Sequence, residues 1–515
     1  MFRISKWTAA ALLGAASMLA MPSPAAFADA STITVVDGID VKDWDPSIAY
    51  GHESYVLNNI YDPLTLYNTK EGKLEPAIAT EWKVSDDGLT WTFKIREGVK
   101  YHNGSALTAK TVAVALKRAV DAGKGATYLW AGAKVEATDD TTLVVTTKDP
   151  LPIDLIASGS YATMVYGTEG AEKGTEWFQK GNDDGTGPYK LVQWVPNQQI
   201  VLERNKDYWR GWTGGEADRI IVRIVTEVST QLQMLRSGEA DMTFATIPFD
   251  MVETLKQEEG IKVAVVDSWQ NLVAPINTKK APTDNPKIRQ AILRLIDYDT
   301  ISSQIYAGIA SVPQNGVPMA LPGAKALNIP KFNIDEAKKL IEESGVPEDQ
   351  RKITWVAYGG IDVLKNVALL FQANAKKAGL EVEIVQGDWG VMWDKQKKFD
   401  TSFNVYPYRT WPDYPSMQPA AMLKTQKEGE MTFNFAYYSK PEVDALIDEG
   451  TKNEAVDKAK TAEAWNKVYQ MATDDGAQVA IADTKRIITH RANLDGVTTD
   501  PAYETVFFRF LKKKE

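Results

Sequence analysis

The 515-residue chain contains no cysteine. That absence removes disulfides, thiolate nucleophiles, iron–sulfur clusters and every zinc site built on sulfur. Histidine is nearly as scarce: His52, His102 and His490 are scattered and offer no metal-binding pair at helical spacing. Neither a metal nor any other cofactor is expected. Basic charge is in deficit too, with 58 Lys and Arg against 68 Asp and Glu, a formal charge of −10. A nucleic-acid or anionic-membrane partner would want a basic face, so neither is expected. Beyond residue 30 no apolar run approaches the roughly 20 residues that span a bilayer.

Motifs of covalent chemistry are missing as well. No GxSxG elbow, Walker A loop, HExxH or GxGxxG opens a helix. Gly185-Thr186-Gly187 is followed by Pro188, which lacks an amide that a phosphate cradle would use, so it reads as a tight turn into a strand at Tyr189. The acidic pairs Asp86-Asp87, Asp183-Asp184 and Asp474-Asp475 read as solvated turns. Glycosidase carboxylates are defined by a spatial separation that sequence does not display. The chain is not expected to be an enzyme.

What is present begins with an export signal. Arg3 and Lys6 precede a short apolar run from Thr8 to Met21, and Ala26-Phe27-Ala28 supplies a small-x-small cleavage pattern. Residues 1–28 are expected to leave as a signal peptide. No cysteine stands at the cleavage site, so a lipoprotein is excluded and the periplasm of a Gram-negative bacterium is the expected location.

The remainder alternates strand and helix signals. Trp91, Phe93 and Ile95 alternate with Thr92, Lys94 and Arg96, predicting a strand buried on one face. Ile220, Val222 and Ile224 alternate more weakly. Further strands are predicted at 32–36, 142–147, 189–194, 199–204, 262–266, 353–357 and 381–385. Val112, Ala115, Leu116, Ala119 and Val120 form one helical stripe with Thr108 as N-cap, and Ile288, Ala291, Ile292 and Leu295 form another. Asn333 with Glu336, and Ser439 with Glu442, resemble capping boxes, and Gly345 reads as a helix C′ residue. Segment 311–330, with four prolines, reads as a long ordered loop. The chain is a mixed α/β protein.

Aromatic residues are abundant, with 15 Trp and 20 Tyr, and several cluster with polar groups. Examples are Tyr128 with Trp130, Trp269 beside Gln270 and Asn271, Trp389 with Trp393, and Tyr406 to Tyr414. Rings with polar tips suit a pocket that holds a ligand. The last cluster also carries Arg409 and Asp413, and an ionised Asp among rings needs a partner.

The residues also resemble a known family. Asp43-Trp44-Asp45-Pro46, Asn59 to Leu64, and the run Leu74-Glu75-Pro76-Ala77-Ile78-Ala79 through Trp82 to Phe93 are similar to the opening of the family 5 extracellular solute-binding proteins. So are Ile95 to Val99, His102-Asn103-Gly104, Gly185 to Tyr189, Glu203-Arg204-Asn205, Asp207-Tyr208-Trp209, Ser237 to Asp241 and Arg289-Gln290-Ala291. These are the oligopeptide-, dipeptide- and nickel-binding receptors of ABC importers. The resemblance implies a bilobal periplasmic-binding-protein fold (type II, cluster C-like) that shuts on its ligand by a hinge. It places lobe one at 31–75, 180–270 and 486–515, an extra inserted domain at 76–179, and lobe two at 271–485. It implies a small solute in the interlobe cleft, permease subunits of the importer as partners, and a monomer. The solute is a peptide or similar amine-bearing molecule, whose α-ammonium Asp413 would hold. Trp411, Arg409, Tyr408, Trp389, Trp269, Gln270, Asn271, Tyr128, Trp130 and the stretch Tyr50, Gly51, His52 and Glu53 are the other candidate ligand-binding residues. Trp411 lies two residues before Asp413 and Pro412 lacks an amide, departures from the peptide-binding pattern. An oligosaccharide or an opine (a sugar–amino-acid conjugate) therefore remains an alternative ligand, and a secreted hydrolase an alternative of another class. A nickel site is disfavoured because His490 has no second histidine nearby.

Overall fold

The computed structural model of the chain describes residues 32–124, 130, 132–159, 161, 163–244, 247–358, 361–410, 417–427, 433–503 and 505–514. The expected signal peptide lies outside them. All the predicted strands are present, most within a residue or two of the expected bounds.

An eight-stranded sheet organises the molecule. Its spatial order is Tyr408–Arg409, Ile261–Pro275, Gln478–Arg491, Met242–Thr243, Thr32–Asp37, Arg219–Ile224, Gln199–Arg204 and Tyr189–Val195. Thr32–Asp37 pairs in parallel with Arg219–Ile224 over six residues, and Ile33, Val35, Ile220 and Val222 are fully buried. A separate antiparallel sheet comprises Ala79–Val84, Thr90–Ile95, Thr142–Thr146 and Lys134–Ala137. Here Trp91, Phe93 and Ile95 face the core as their alternation predicts, and helix Ala109–Ala122 packs on the neighbouring strands Lys134–Ala137 and Thr142–Thr146, adding Val112 and Leu116 to that core. Thr108 and Thr111 form a reciprocal capping box, and Gly123 ends the helix in the left-handed conformation.

Across the molecule, parallel strands Lys352–Tyr358 and Glu381–Gly387 are joined by helix Asp362–Ala378, whose Phe371 stacks on Trp355 at 4.3 Å. Val405 bridges Trp355 on one side and Ile276 on the other, tying this sheet to the eight-stranded one. Asn333 caps helix Ile334–Glu343 through the Glu336 amide at 3.0 Å, with Gly345 left-handed beyond its end. Ser439 differs from expectation. Proline at the first helical position starts helix Pro441–Glu454 one residue later, with Lys440 at the N-cap, and the Ser439 hydroxyl bonds Thr425 instead.

Two long strands belong to both halves. Ile261–Asp267 pairs with Lys485–Arg491 beside Met242–Thr243, whereas Asn271–Pro275 pairs with Gln478–Asp483 beside Tyr408–Arg409. The ladder breaks between Asp267 and Asn271. There side chains substitute for it: the Ser268 hydroxyl donates to the Thr484 carbonyl at 2.8 Å, and the Thr484 hydroxyl donates to the Gln270 carbonyl at 3.0 Å. Such an irregularity bends a sheet without leaving its polar groups unpaired.

The proline-bearing loop 311–330 is irregular, as expected, and is pinned to these crossing strands. Trp269 Nε1 donates to the Ala320 carbonyl at 3.1 Å, Asn271 Nδ2 donates to the Gly316 carbonyl at 3.0 Å, and Asp483 accepts the Met319 amide at 3.2 Å.

Asp183-Asp184 is not a solvated turn. Asp183 accepts a bond from His102 Nδ1 at 2.5 Å and from the amides of Gly185 and Leu191, while Asp184 is wholly buried and accepts the Gly170 amide at 3.0 Å. These donors replace water. Burial pushes the Asp184 carboxyl up to about 6. The glycines that follow press against the carbonyl of Ile60, so a Cβ on Gly187 would lie 2.5 Å from that carbonyl carbon. Gly187→Ala is therefore expected to lower unfolding stability by about 2–3 kcal/mol, measured by urea denaturation, because backbone on both sides must shift.

Candidate functional site

A cleft of about 920 Å³ opens over the break in the crossing strands. Its floor comes from Ser268, Gln270 and Leu272 on one strand and Thr484 to Ile487 on the other. One wall carries His52, Tyr55, Phe244 and the start of helix Phe249–Lys256; the facing wall carries Tyr306, Tyr358, Arg409 and the first turn of helix Asp362–Ala378. Phe249 and Tyr306 meet across the cleft with ring centroids 5.0 Å apart. Tyr306 follows a one-turn π-helix, Ile301–Ile305, a distortion that commonly marks functional positions.

Strand alternation decides which expected residues reach this cleft. Gln270 faces it, so its neighbours Trp269 and Asn271 point the other way, where both are buried and hold loop 311–330. Arg409 faces the cleft, so Tyr408 turns into the core, packed against Phe433, Phe435, Tyr406 and Trp389. Tyr406 and Tyr408, read from the sequence as part of a cluster that suits a pocket, are therefore core. Trp389 joins it, touching Tyr358 from behind at 4.8 Å. Trp130 is fully buried in the core and does not line the cleft. In the stretch 50–53 only His52 lines it. Tyr50 packs edge-on against Tyr161, and Glu53 is buried, its carboxylate accepting the Tyr50 amide and folded back beside Gly51. Asp413, Trp411 and Tyr128 lie outside the described residues.

The remaining lining residues were not anticipated. Phe244, Ile247, Phe249, Tyr306 and Tyr358 come from loops and element ends, and no local pattern distinguishes them from core positions. Asp250 and Asp362 were detectable only as acidic residues in the first turns of helices, where the helix dipole favours them.

Electrostatically the cleft is mixed. His52 Nε2 bonds the buried Asp37 carboxylate at 2.7 Å, which orients the ring on the cleft wall. Burial and the neighbouring Asp37 push the Tyr55 phenol well above its usual range. Lys485 is held by Asp267 at 3.2 Å, whereas Arg409 is exposed and makes no ion pair among the described residues. His490, at the far end of the crossing strand, donates Nδ1 to the Arg491 carbonyl at 2.9 Å, and burial lowers its pKa. Among the described residues no group of three His, Asp or Glu could hold a metal. No helix there is long and apolar enough to cross a membrane.

Two lobes joined by shared strands, with a solvent-reaching cleft over the junction, define a bilobal binding protein. The family model for bacterial extracellular solute-binding proteins, family 5 (middle) matches residues 73–430, and the chain belongs to that family. It is 28% identical to the periplasmic oligopeptide-binding protein OppA of Salmonella typhimurium, over 92% of this chain and 91% of that one. It is 27% identical to the dipeptide-binding protein DppE of Bacillus subtilis, over 81% and 80% of the two chains. The fold is shared with the periplasmic binding protein DppA from Helicobacter pylori in complex with the peptide STSA, at a TM-score of 0.76 and 23% identity over 94% and 98% of the chains. It is also shared with the substrate-binding protein CtaP from Listeria monocytogenes, at a TM-score of 0.83 and 20% identity over 94% and 99%.

Asp483 gives the hinge region a pH dependence. It is buried on a crossing strand, one carboxylate oxygen has no hydrogen-bond partner, and burial pushes its pKa up to about 7, with Asp267 adding to the shift and Lys485 opposing it. The folded chain thus keeps a proton that the unfolded chain loses near pH 4, so this contribution to stability is full below that pH and is lost as pH rises to about 7. Asp483→Asn is expected to gain about 2–4 kcal/mol over the wild type at pH 8 and almost nothing at pH 4, read from urea denaturation at both values.

Proposed function

We propose that this protein is the periplasmic receptor of an ABC importer, closing on a peptide or similar amine-bearing solute and passing it unchanged to the membrane permease. The observation that carries the reading is the cleft of about 920 Å³ built across strands that both lobes share. A ligand touching both walls stabilises the shut state because only that state offers it all its contacts. The names of the relatives, which bind oligopeptides and dipeptides, support a peptide as the solute. In this reading lobe one comprises 31–75, 180–270 and 486–515, lobe two 271–485, and the stretch 76–179 is an inserted domain.

The chemistry of recognition follows from charge. Arg409, exposed in the cleft wall and unpaired among the described residues, presents a guanidinium fork to a ligand carboxylate. Asp413, four residues on, takes the ligand's α-ammonium. Gln270 and the aromatic walls supply contacts that tolerate different side chains. Transport needs release of an intact ligand, so no group here is assigned a catalytic role.

Native mass spectrometry of protein purified gently from periplasm, followed by denaturing release, tests the reading. A ladder of peptide masses supports it; one discrete non-peptide mass moves the assignment to an oligosaccharide or opine, and turnover of bound ligand on incubation revives a hydrolase. With a released peptide as titrant, calorimetry is expected to show Arg409→Ala weakening binding about 10–100-fold, the worth of one desolvated charge-assisted contact. Asp413→Asn should cripple binding of an amine-bearing ligand while leaving a neutral sugar's affinity nearly intact.

A further inference from the structure

One segment of the cleft wall reaches past the cleft itself. The π-helix Ile301–Ile305 is followed by Ala307 and Gly308, both in the left-handed region at φ of 49° and 77°. Glycine adopts that region freely, but an alanine there is strained, and such strain persists only where surrounding contacts hold it. Here they do. The Gly308 amide donates to the Ser302 carbonyl at 2.7 Å, and the Ser302 hydroxyl donates to the Ala310 carbonyl at 2.7 Å. Ser311 then exchanges two backbone bonds with Asp483 on the crossing strand, each 3.0 Å long. The turn therefore holds Tyr306 and Ile309 as a fixed projection anchored at the junction of the lobes.

Both side chains meet residues of the opposite wall. Tyr306 touches Phe249 across the cleft. Ile309 is buried in an apolar cluster with Val36, Leu232, Leu235, Val252 and Leu255, the core on which helices Val228–Ser237 and Phe249–Lys256 pack. Among the described residues, every other buried member of that cluster lies between Val36 and Ile261. Ile309 thus comes from the stretch read as lobe two and is buried among side chains of lobe one. Phe249 does the reverse, packing both on this cluster and on the larger core that contains Tyr306 and Ala310.

We propose that Tyr306 and Ile309 form an apolar latch between the lobes, which keeps part of the ligand-free protein shut and so sets the affinity of the cleft. Apolar surface buried between two walls favours the shut state whether or not a ligand is present. A ligand then meets a fraction already competent to bind it, and apparent affinity scales with that fraction. Tyr306 lines the cleft and would also touch a ligand, but Ile309 does not line it. Ile309 is therefore a positioning residue, acting on binding only through the lobe equilibrium. The inference rests on the two-lobe reading and is indifferent to the identity of the solute.

Electron–electron double resonance between spin labels on the full processed chain tests it. Thr254→Cys and Lys365→Cys place the labels at exposed positions on the helices of the two walls, and no native cysteine competes for them. The ligand-free chain is expected to show two distance populations. The low-molecular-weight extract released by denaturing the purified protein should collect them into the shorter one. Ile309→Ala should deplete the shorter population about tenfold and weaken calorimetric binding of that extract by the same factor. Ile309→Val, which removes one methylene and is the milder change should Ile309→Ala not fold, should do both about threefold. A ligand-free chain without the shorter population would overturn the latch. So would an Ile309→Ala distribution equal to that of the wild type, even with a lowered urea midpoint, because a merely structural contact would give that result. If the extract shortens the distance and Ile309→Ala leaves it unchanged, the latch alone fails; if neither alters it, the two-lobe reading fails with it.

Discussion

Everything in this molecule depends on the pairing of Ile261–Pro275 with Gln478–Arg491. These strands are long enough for one end to lie beside Met242–Thr243 and the other beside Tyr408–Arg409, where Val405 bridges Ile276 to the separate sheet around Trp355. A continuous ladder would make the junction rigid. Here the register breaks midway, and Ser268 and Thr484 carry the interrupted hydrogen bonds through their hydroxyls. A side-chain hydroxyl can follow a rotating carbonyl in a way that a ladder amide cannot, so the junction bends without orphaning buried polar groups. The cleft is set over that junction, so rotation of either lobe moves its two walls together or apart.

The same strands sort their side chains by alternation. Odd positions 269 and 271 turn away from the cleft and hold loop 311–330 in place, while Ser268, Gln270 and Leu272 form the floor. Loop and floor are therefore coupled through single backbone positions. Phe249 and Tyr306 touching across the opening add a contact between walls that breaks as they separate. A ligand need supply only the difference between open and shut states, a few kcal/mol, to move the population decisively.

Much of the fold was legible because burial on one face imposes a period-two pattern: Trp91, Phe93 and Ile95 read directly as a strand, and Thr108 and Asn333 as helix starts. The site was less legible. Alternation says that Trp269 and Gln270 face opposite ways, but not which way the cleft lies, so both were candidates although only Gln270 lines it. The same parity separates Arg409 from Tyr408. Phe249, Tyr306 and Tyr358 come together only through tertiary packing, and nothing local marks them. Asp184 read as part of a solvated turn because the amide that replaces its water, that of Gly170, comes from another segment, and nothing local marked Asp483, whose amide donor lies in loop 311–330.

Small-angle X-ray scattering of the processed chain across a titration with its released ligand tests the hinge most directly. A compact chain of this length has a radius of gyration of about 23 Å, against which lobe closure is measurable. The account predicts that this radius falls as ligand is added, with the midpoint that calorimetry gives for binding. A radius that stays constant while calorimetry records saturation would contradict it, because the ligand would then occupy the cleft without shutting it.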